Sequence, residues 1–144
     1  MEIPEPKAGL VIQYAYLWFD EARQGREEGV KSRPCVITHT LNKDERTFVF
    51  VAPITHTPQS ENAVDMPPAT GQRLGLDDAP SWVVTSEVNR FEWPGYDLQP
   101  IARDKPQTAY GFLPRNLTRQ IRSQVREHAR ERTISRDLSR GREF

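Results

Sequence analysis

The sequence predicts a mainly β protein of the α+β class, a small β-barrel with a C-terminal helix. Several short runs of β-branched and aromatic residues are separated by polar, proline-containing loops, and helical spacing begins only after Pro114. The chain has 144 residues, enough for one core, and its 12 prolines argue against a helical bundle. We therefore expect a folded domain over residues 1–125 and a basic, partly disordered extension over residues 126–144.

Four apolar runs are the expected strands. They cover residues 9–18, 33–40, 47–55 and 81–85, with a further element at 87–93, a short edge strand at 64–66 and a turn or brief helix at 70–76. The polar segment 42–46 joins the second and third runs and is typical of a hairpin turn. This hairpin is the most secure local prediction.

The C-terminal part of the chain has the pattern of an amphipathic helix with a basic surface. Leu117, Ile121 and Val125 recur at steps of four, which predicts one apolar stripe. From residue 115 onward there are nine arginines and four acidic residues, a net charge of +5 in a chain whose total is zero. Either these arginines bind a polyanion, or they pair with Glu127 and Glu131 at helical spacing.

Composition argues against several classes of protein. No apolar run approaches the ~20 residues that cross a membrane, and residues 1–7 lack the features of a signal peptide. We expect a cytoplasmic protein with no membrane partner. Cys35 is the single cysteine and, inside an apolar run, is expected to be a core residue. The three histidines are well separated and lack an acidic pair at useful spacing, so neither a metal site nor a cofactor is expected.

A binding site is expected where the polar loop 23–29 meets the apolar run that follows it. Pro34 cannot donate a ladder hydrogen bond and fits the first position of a strand. Arg33 would then lie at the edge of the sheet, with its guanidinium group directed away from the strands. By residue type alone, an ordinary solvated arginine is the commoner alternative.

The order of five motifs resembles the MazF/PemK/Kid family of bacterial toxins. The motifs are Gly9-Leu10-Val11, the segment 29–37 with Arg33-Pro34, Ala52-Pro53-Ile54-Thr55, Glu87-Val88-Asn89 and Gly111-Phe112-Leu113-Pro114. The similarity covers roughly residues 6–125 and implies an SH3-like barrel. It further implies the toxin of a type II toxin–antitoxin system, a metal-independent endoribonuclease that cleaves single-stranded mRNA. Its implied partners are a cognate antitoxin and a second copy of the chain.

The resemblance implies that Arg33 and Thr55 are the catalytic residues. RNA is cleaved when its own 2′-hydroxyl attacks the adjacent phosphate, so an enzyme must stabilise the added negative charge and transfer protons. Arg33 would bind the phosphoryl oxygens and Thr55 would donate a hydrogen bond to the same group. The proton acceptor stays open because arginine remains protonated. His56 is one candidate, with a surface loop histidine as the commoner alternative.

Five residues are expected to contact RNA: Lys31, Glu28, His56, Phe19 and Trp93. Phe19 and Trp93 lie next to loops and are candidates for stacking on unpaired bases, although a buried ring is the commoner fate. Lys31 and Glu28 belong to the loop before Arg33, where solvated charges are the alternative. This loop departs from the Gly-Ser-Glu-Gln run of many relatives, so the cut sequence cannot be carried over.

Two other classes of function fit the same sequence. One is a toxin-like barrel without nuclease activity that binds a protein target, as the CcdB-type gyrase poisons do. The other is a barrel that binds nucleic acid without cutting it. The presence of both Arg33 and Thr55 favours the nuclease.

Overall fold

A computed structural model describes residues 1–26, 31–59 and 62–136, which form one sheet and three α-helices. The strands are β1 Leu10–Tyr14, β2 Arg33–Lys43, β3 Arg46–Thr55, β4 Ala63–Asp65, β5 Trp82–Val84, β6 Val88–Glu92, β7 Ala109–Phe112 and β8 Thr133–Ser135. The helices are α1 Phe19–Arg23, α2 Pro68–Leu74 and α3 Arg115–His128, and a 3-10 turn follows at Arg130–Arg132. The predicted mainly β, α+β class is confirmed. No helix in the described ranges has both the length and the apolar character needed to cross a bilayer.

The sheet is open, which corrects the closed barrel expected from the sequence. Its hydrogen-bonded order is β4-β5-β3-β2-β1-β7, and β6 pairs with β3 and β8. All pairs are antiparallel except β6 with β8, which run parallel. Within the described strands β7 pairs only with β1, so the path does not return to its other edge.

The predicted hairpin of β2 and β3 is confirmed and is longer than expected. Its ladder continues to the pair Lys43 and Arg46, leaving a turn of two residues. Asp44 and Glu45 both adopt positive φ, at 54° and 63°, which is the backbone that a tight hairpin turn requires. The strands therefore run closer to the turn than polarity alone suggested.

Strand β1 is shorter than expected, and side chains pair with part of the backbone beyond it. Leu17 N donates to Asn89 Oδ1 at 2.9 Å, and Asn89 Nδ2 donates to Leu17 O at 2.8 Å. Phe19 N, at the start of α1, donates to Glu87 Oε1 at 2.8 Å. Glu87 and Asn89 thus hold the connection from β1 to α1, where the first strand was expected to continue to residue 18.

Alternation along β1, β2 and β3 produces an apolar core on each face of the sheet. On one face Val11, Val36 and Ala52 align in register and pack with the stripe of α3. Leu117, Ile121 and Val125 form that stripe, as predicted. The other face carries a second core of Leu10, Ile12, Tyr14, Tyr16, Cys35, Ile37, Val49, Val51, Phe91 and Leu98.

Regular structure continues past residue 125, the boundary predicted for the folded domain. Helix α3 crosses the 125/126 boundary, and β8 joins the sheet beside β6. Within the segment 126–144, expected to be partly disordered, Arg136 N donates to Arg90 O at 2.9 Å and Arg136 is buried. Arg136 is held there by an ion pair with Asp97, which the sequence pattern does not predict. Residues 137–144 lie outside the described residues.

Candidate functional site

Arg33 and Thr55 lie at the same edge of the sheet. Arg33 is the first residue of β2 and Thr55 the last of β3, and Cys35 pairs with Pro53 in the ladder between these strands. Continuing that register by two residues places Arg33 opposite Thr55. Because side chains alternate along a strand, both project on the face that also carries Cys35. The hairpin therefore brings together two residues that are distant in the sequence.

The Arg33 guanidinium is stacked and unpaired. Its central carbon lies 5.1 Å from the centre of the Trp18 ring, within cation–π range. The Nε atom of Arg33 is buried without a hydrogen-bond partner, and no carboxylate in the described part of the chain pairs with the group. A guanidinium held over an aromatic ring without an ion-pair partner is suited to binding an oxyanion.

The Thr55 hydroxyl is oriented by its own backbone. Its Oγ1 accepts a hydrogen bond from Thr57 N at 3.1 Å, which leaves the hydroxyl proton to be donated. The residues that the structure describes supply no acceptor for that proton. Thr55 is only 7% exposed, so little of its surface is available to a ligand oxygen.

His56 is directed away from Arg33 and Thr55. Its Nε2 lies 2.9 Å from Asp77 Oδ2 and its Nδ1 lies 3.0 Å from Pro80 O. Both neighbours are hydrogen-bond acceptors, so the ring is engaged with the loop 77–80. His56 lines a cavity of about 190 Å³ together with Pro34 and Ile54, which belong to the opposite face of the hairpin. The structure does not bring His56 to the predicted catalytic pair.

The two aromatic rings expected to stack on bases are both engaged with the protein. The half-buried Phe19 ring lies under the guanidinium groups of Arg23 and Arg132, at 5.8 and 4.7 Å. Trp93 donates its indole N–H to Pro4 O at 3.1 Å and packs against the second core. Base stacking on either ring would have to displace these contacts.

The two charged loop residues are placed differently. Lys31 is exposed and lies two residues before Arg33, so its ammonium can accompany an anion bound there. Glu28 falls within residues 27–30, outside the described residues.

Cys35 lies beneath Arg33 on the same face and is fully buried. Burial raises the pKa of its thiol far above the ordinary value, and the nearby charges of Arg33 and Arg136 oppose this only weakly. The thiol therefore stays protonated, in agreement with its predicted role as a core residue.

Sequence reasoning missed the contribution of Glu87 to this site. Its Oε1 accepts hydrogen bonds from Tyr16 O–H at 3.1 Å and from Phe19 N at 2.8 Å, on either side of Trp18. Burial raises the pKa of Glu87, while these two hydrogen bonds and the charge of Arg132 act in the opposite direction. Glu87 thus fixes the segment that carries the ring under Arg33. The sequence does carry a signal for this role. Glu87 and Asn89 are two polar residues on either side of an apolar valine, a pattern that places both on one face of an extended chain.

Larger cavities lie elsewhere in the fold. One of about 460 Å³ lies between α2 and the segment 77–82, and one of about 440 Å³ lies between α3 and the β2–β3 hairpin. The described residues contain no group of three or more histidine, cysteine or acidic side chains placed to share a metal ion.

No family model, curated protein or solved structure matches the chain. The case for a function therefore depends on the order of the sequence motifs and on the geometry around Arg33 and Thr55.

Proposed function

We propose that the chain is the toxin of a type II toxin–antitoxin system, an endoribonuclease of the MazF/PemK type that cleaves single-stranded mRNA without a metal ion. One observation carries this proposal. The unpaired guanidinium of Arg33 lies at the same edge and on the same face of the sheet as the Thr55 hydroxyl. Two hydrogen-bond donors at one edge and on one face of the sheet, neither donating to an acceptor in the described residues, are suited to binding a phosphate group.

The reaction needs the RNA, these two side chains and solvent water. The 2′-oxygen bonds to the adjacent phosphorus, the bond from phosphorus to the 5′-oxygen breaks, and water takes up the proton of the 2′-hydroxyl and delivers a proton to that leaving oxygen. Negative charge builds on the non-bridging oxygens while phosphorus is bonded to five oxygens. Arg33 donates two N–H groups to these oxygens and Thr55 donates its O–H. Trp18 holds the guanidinium in place, so little reorganisation is needed.

The remaining expectations from the resemblance belong to the same proposal. The open sheet is a variant of the SH3-like fold, and the protein works as a homodimer in the cytoplasm. A cognate antitoxin inhibits it by covering the Arg33 edge. Lys31 adds positive charge beside the phosphate.

The test is incubation of the purified chain with a long RNA in EDTA. The wild type is expected to cut, and Arg33→Ala and Thr55→Ala are each expected to lower the rate by ~10²–10³. Arg103→Ala, which removes an exposed arginine from the loop 99–107, is the control and should cut normally. Intact RNA after incubation with the folded wild type would contradict the proposal.

The burial of Thr55 favours a second candidate, an RNA-binding protein that does not cleave. At 7% exposure its hydroxyl has little room to contact a phosphate, whereas Arg33 can still bind one. Arg33-dependent RNA binding by a wild type that leaves the RNA intact would support this candidate.

A further inference from the structure

Helix α3 presents four arginines along one side. Arg115, Arg119, Arg122 and Arg126 recur at steps of four, three and four. At ~100° per residue they fall within a sector of roughly 60°, and at 1.5 Å per residue the row is about 16 Å long. We call these four residues the arginine face. The arginine face and the apolar stripe occupy different sides of α3. Because the apolar stripe packs on the sheet, the arginine face points away from the core.

The arginine face is unpaired. The sequence left open whether Glu127 and Glu131 neutralise it, and in the structure Glu127 lies 3.8 Å from His128 instead. Within the described ranges, none of the four guanidinium groups forms an ion pair with a carboxylate. Arg122 Nε is moreover buried without a hydrogen-bond partner. Like charges one turn apart on a helix repel one another, so such a row is favourable chiefly when it meets an external anion.

The positive field of the arginine face extends to the neighbouring sheet. A groove of about 440 Å³ separates the C-terminal half of α3 from the hairpin, and none of its described lining residues is acidic. His39 lies in this groove, and Arg122 and Arg126 add to the effect of burial in lowering its pKa to about 4. The described lining of the groove between α3 and β2 is thus cationic.

We propose that the arginine face of α3 binds the phosphate backbone of single-stranded RNA, as a second contact for the substrate of the Arg33 site. The choice of RNA as the polyanion rests on the proposed function. Regularly spaced guanidinium groups bind phosphates regardless of base sequence. Helix α3 covers the face of the sheet opposite to that of Arg33, so this contact holds the RNA without positioning the bond that breaks.

Two properties follow for binding. RNAs long enough to reach both surfaces bind more tightly than short ones that occupy only the Arg33 edge. Each phosphate neutralised on a single strand adds about 0.7 to the slope of log Kd against log salt concentration. Removing two arginines from the face should therefore lower that slope by about 1.4.

The experiment measures binding without cleavage. The full-length Thr55→Val chain and a labelled 30-nucleotide RNA are titrated by fluorescence anisotropy over a range of salt concentrations. Adding Arg119→Gln and Arg126→Gln is expected to weaken binding by at least about tenfold and to lower the salt slope by about 1.4. Adding Arg119→Lys and Arg126→Lys should preserve the slope, because the charge is kept. Circular dichroism checks that each variant is folded.

A matched pair removes the same charge elsewhere. Arg103→Gln with Lys105→Gln takes two positive charges from the exposed loop 99–107 and should leave affinity and slope nearly unchanged. An equal loss with this pair would overturn the proposal, since the effect would then be one of net charge. Tight binding of polyglutamate through the arginine face, with RNA binding independent of it, would overturn the proposal in favour of an acidic protein partner.

The outcomes separate this inference from the proposed function. If the wild type leaves RNA intact but the arginine variant loses binding, the nuclease proposal fails and the arginine face stands. If the wild type cuts RNA and the arginine variant binds with an unchanged slope, only the present inference is overturned.

Discussion

Arg136 pairs with Asp97 at 3.1 Å inside the protein, where the two side chains are 1% and 11% exposed. The same guanidinium donates from Nη1 to Ala15 O at 2.9 Å and to Asn89 Oδ1 at 3.0 Å. Arg136 thereby connects the C-terminal strand to the segment after β1. That segment carries Trp18, whose ring lies under the Arg33 guanidinium. A charge so far from solvent is stable only while these partners remain.

Replacing Arg136 should strongly destabilise the fold. Arg136→Met leaves the Asp97 carboxylate buried and unpaired, and we expect the free energy of unfolding to fall by ~3–5 kcal/mol. Adding Asp97→Leu should recover part of this loss. Urea unfolding measures both variants, with the exposed Arg130→Met as a control expected to change stability by less than ~0.5 kcal/mol. A loss below ~1 kcal/mol for Arg136→Met would show that the ion pair matters little.

Trp18 should support catalysis without touching RNA. Trp18→Leu removes the ring under Arg33, and a cation–π contact is worth ~0.5–2 kcal/mol, so we expect RNA cleavage to slow by about 2–30-fold. Arg33→Lys keeps the charge but loses the planar fork, and its rate should fall further. Single-turnover kinetics on a defined RNA measure both effects. An unchanged cleavage rate for Trp18→Leu would mean that the Trp18 ring has no role in the proposed mechanism.

The Thr55 hydroxyl can be tested separately from the shape of its side chain. Thr55→Val is nearly isosteric and lacks the donor, so cleavage should fall by ~10²–10³. Thr55→Ser keeps the hydroxyl that accepts from Thr57 N and should retain most activity. The comparison uses cleavage rates of the two folded variants under the same conditions. Similar rates for serine and valine would mean that the hydroxyl does not act on the phosphate.

His39 should make the fold less stable at acidic pH. Its pKa falls from 6.5 to about 4 on folding, chiefly through burial, so between these values the unfolded chain binds the proton that the folded chain excludes. Stability is therefore lost as pH falls from about 6.5 towards 4. Since the ring is partly exposed, we expect an effect of only ~1 kcal/mol. Urea midpoints at pH 7 and 4.5 should differ less in His39→Gln than in the wild type, and equal differences would contradict the prediction.

Local patterns were enough to predict the hairpin and the last helix. Alternation marks β2 and β3, steps of four mark α3, and the common edge of Arg33 and Thr55 follows once the hairpin is known. The sequence could not predict that Arg136 is buried, because its burial depends on Asp97 and Asn89 in distant segments. The start of α1 likewise depends on Glu87, which lies 68 residues away.

The surroundings of the site residues were harder to predict than their positions. His56 follows Thr55 directly in the sequence, yet it lies towards the opposite face of the hairpin. Neighbours in an extended chain point to opposite sides, so adjacency is a poor guide to a shared site. Phe19 and Trp93 were expected at loops, but sequence cannot reveal that Arg132 and Pro4 occupy them. Tertiary partners of exposed-looking aromatic rings are set by the fold rather than by local composition.

Strand β8 has a consequence for how copies of the chain behave toward one another. It hydrogen-bonds to the outer side of β6, whose inner side already pairs with β3. A chain shortened before Thr133 would leave the outer N–H and C=O groups of β6 unpaired. An unpaired strand edge of this kind can pair with a strand of another molecule. Strand β8 thus occupies the backbone groups of β6 that a foreign strand could otherwise pair with, and its loss should favour aggregation.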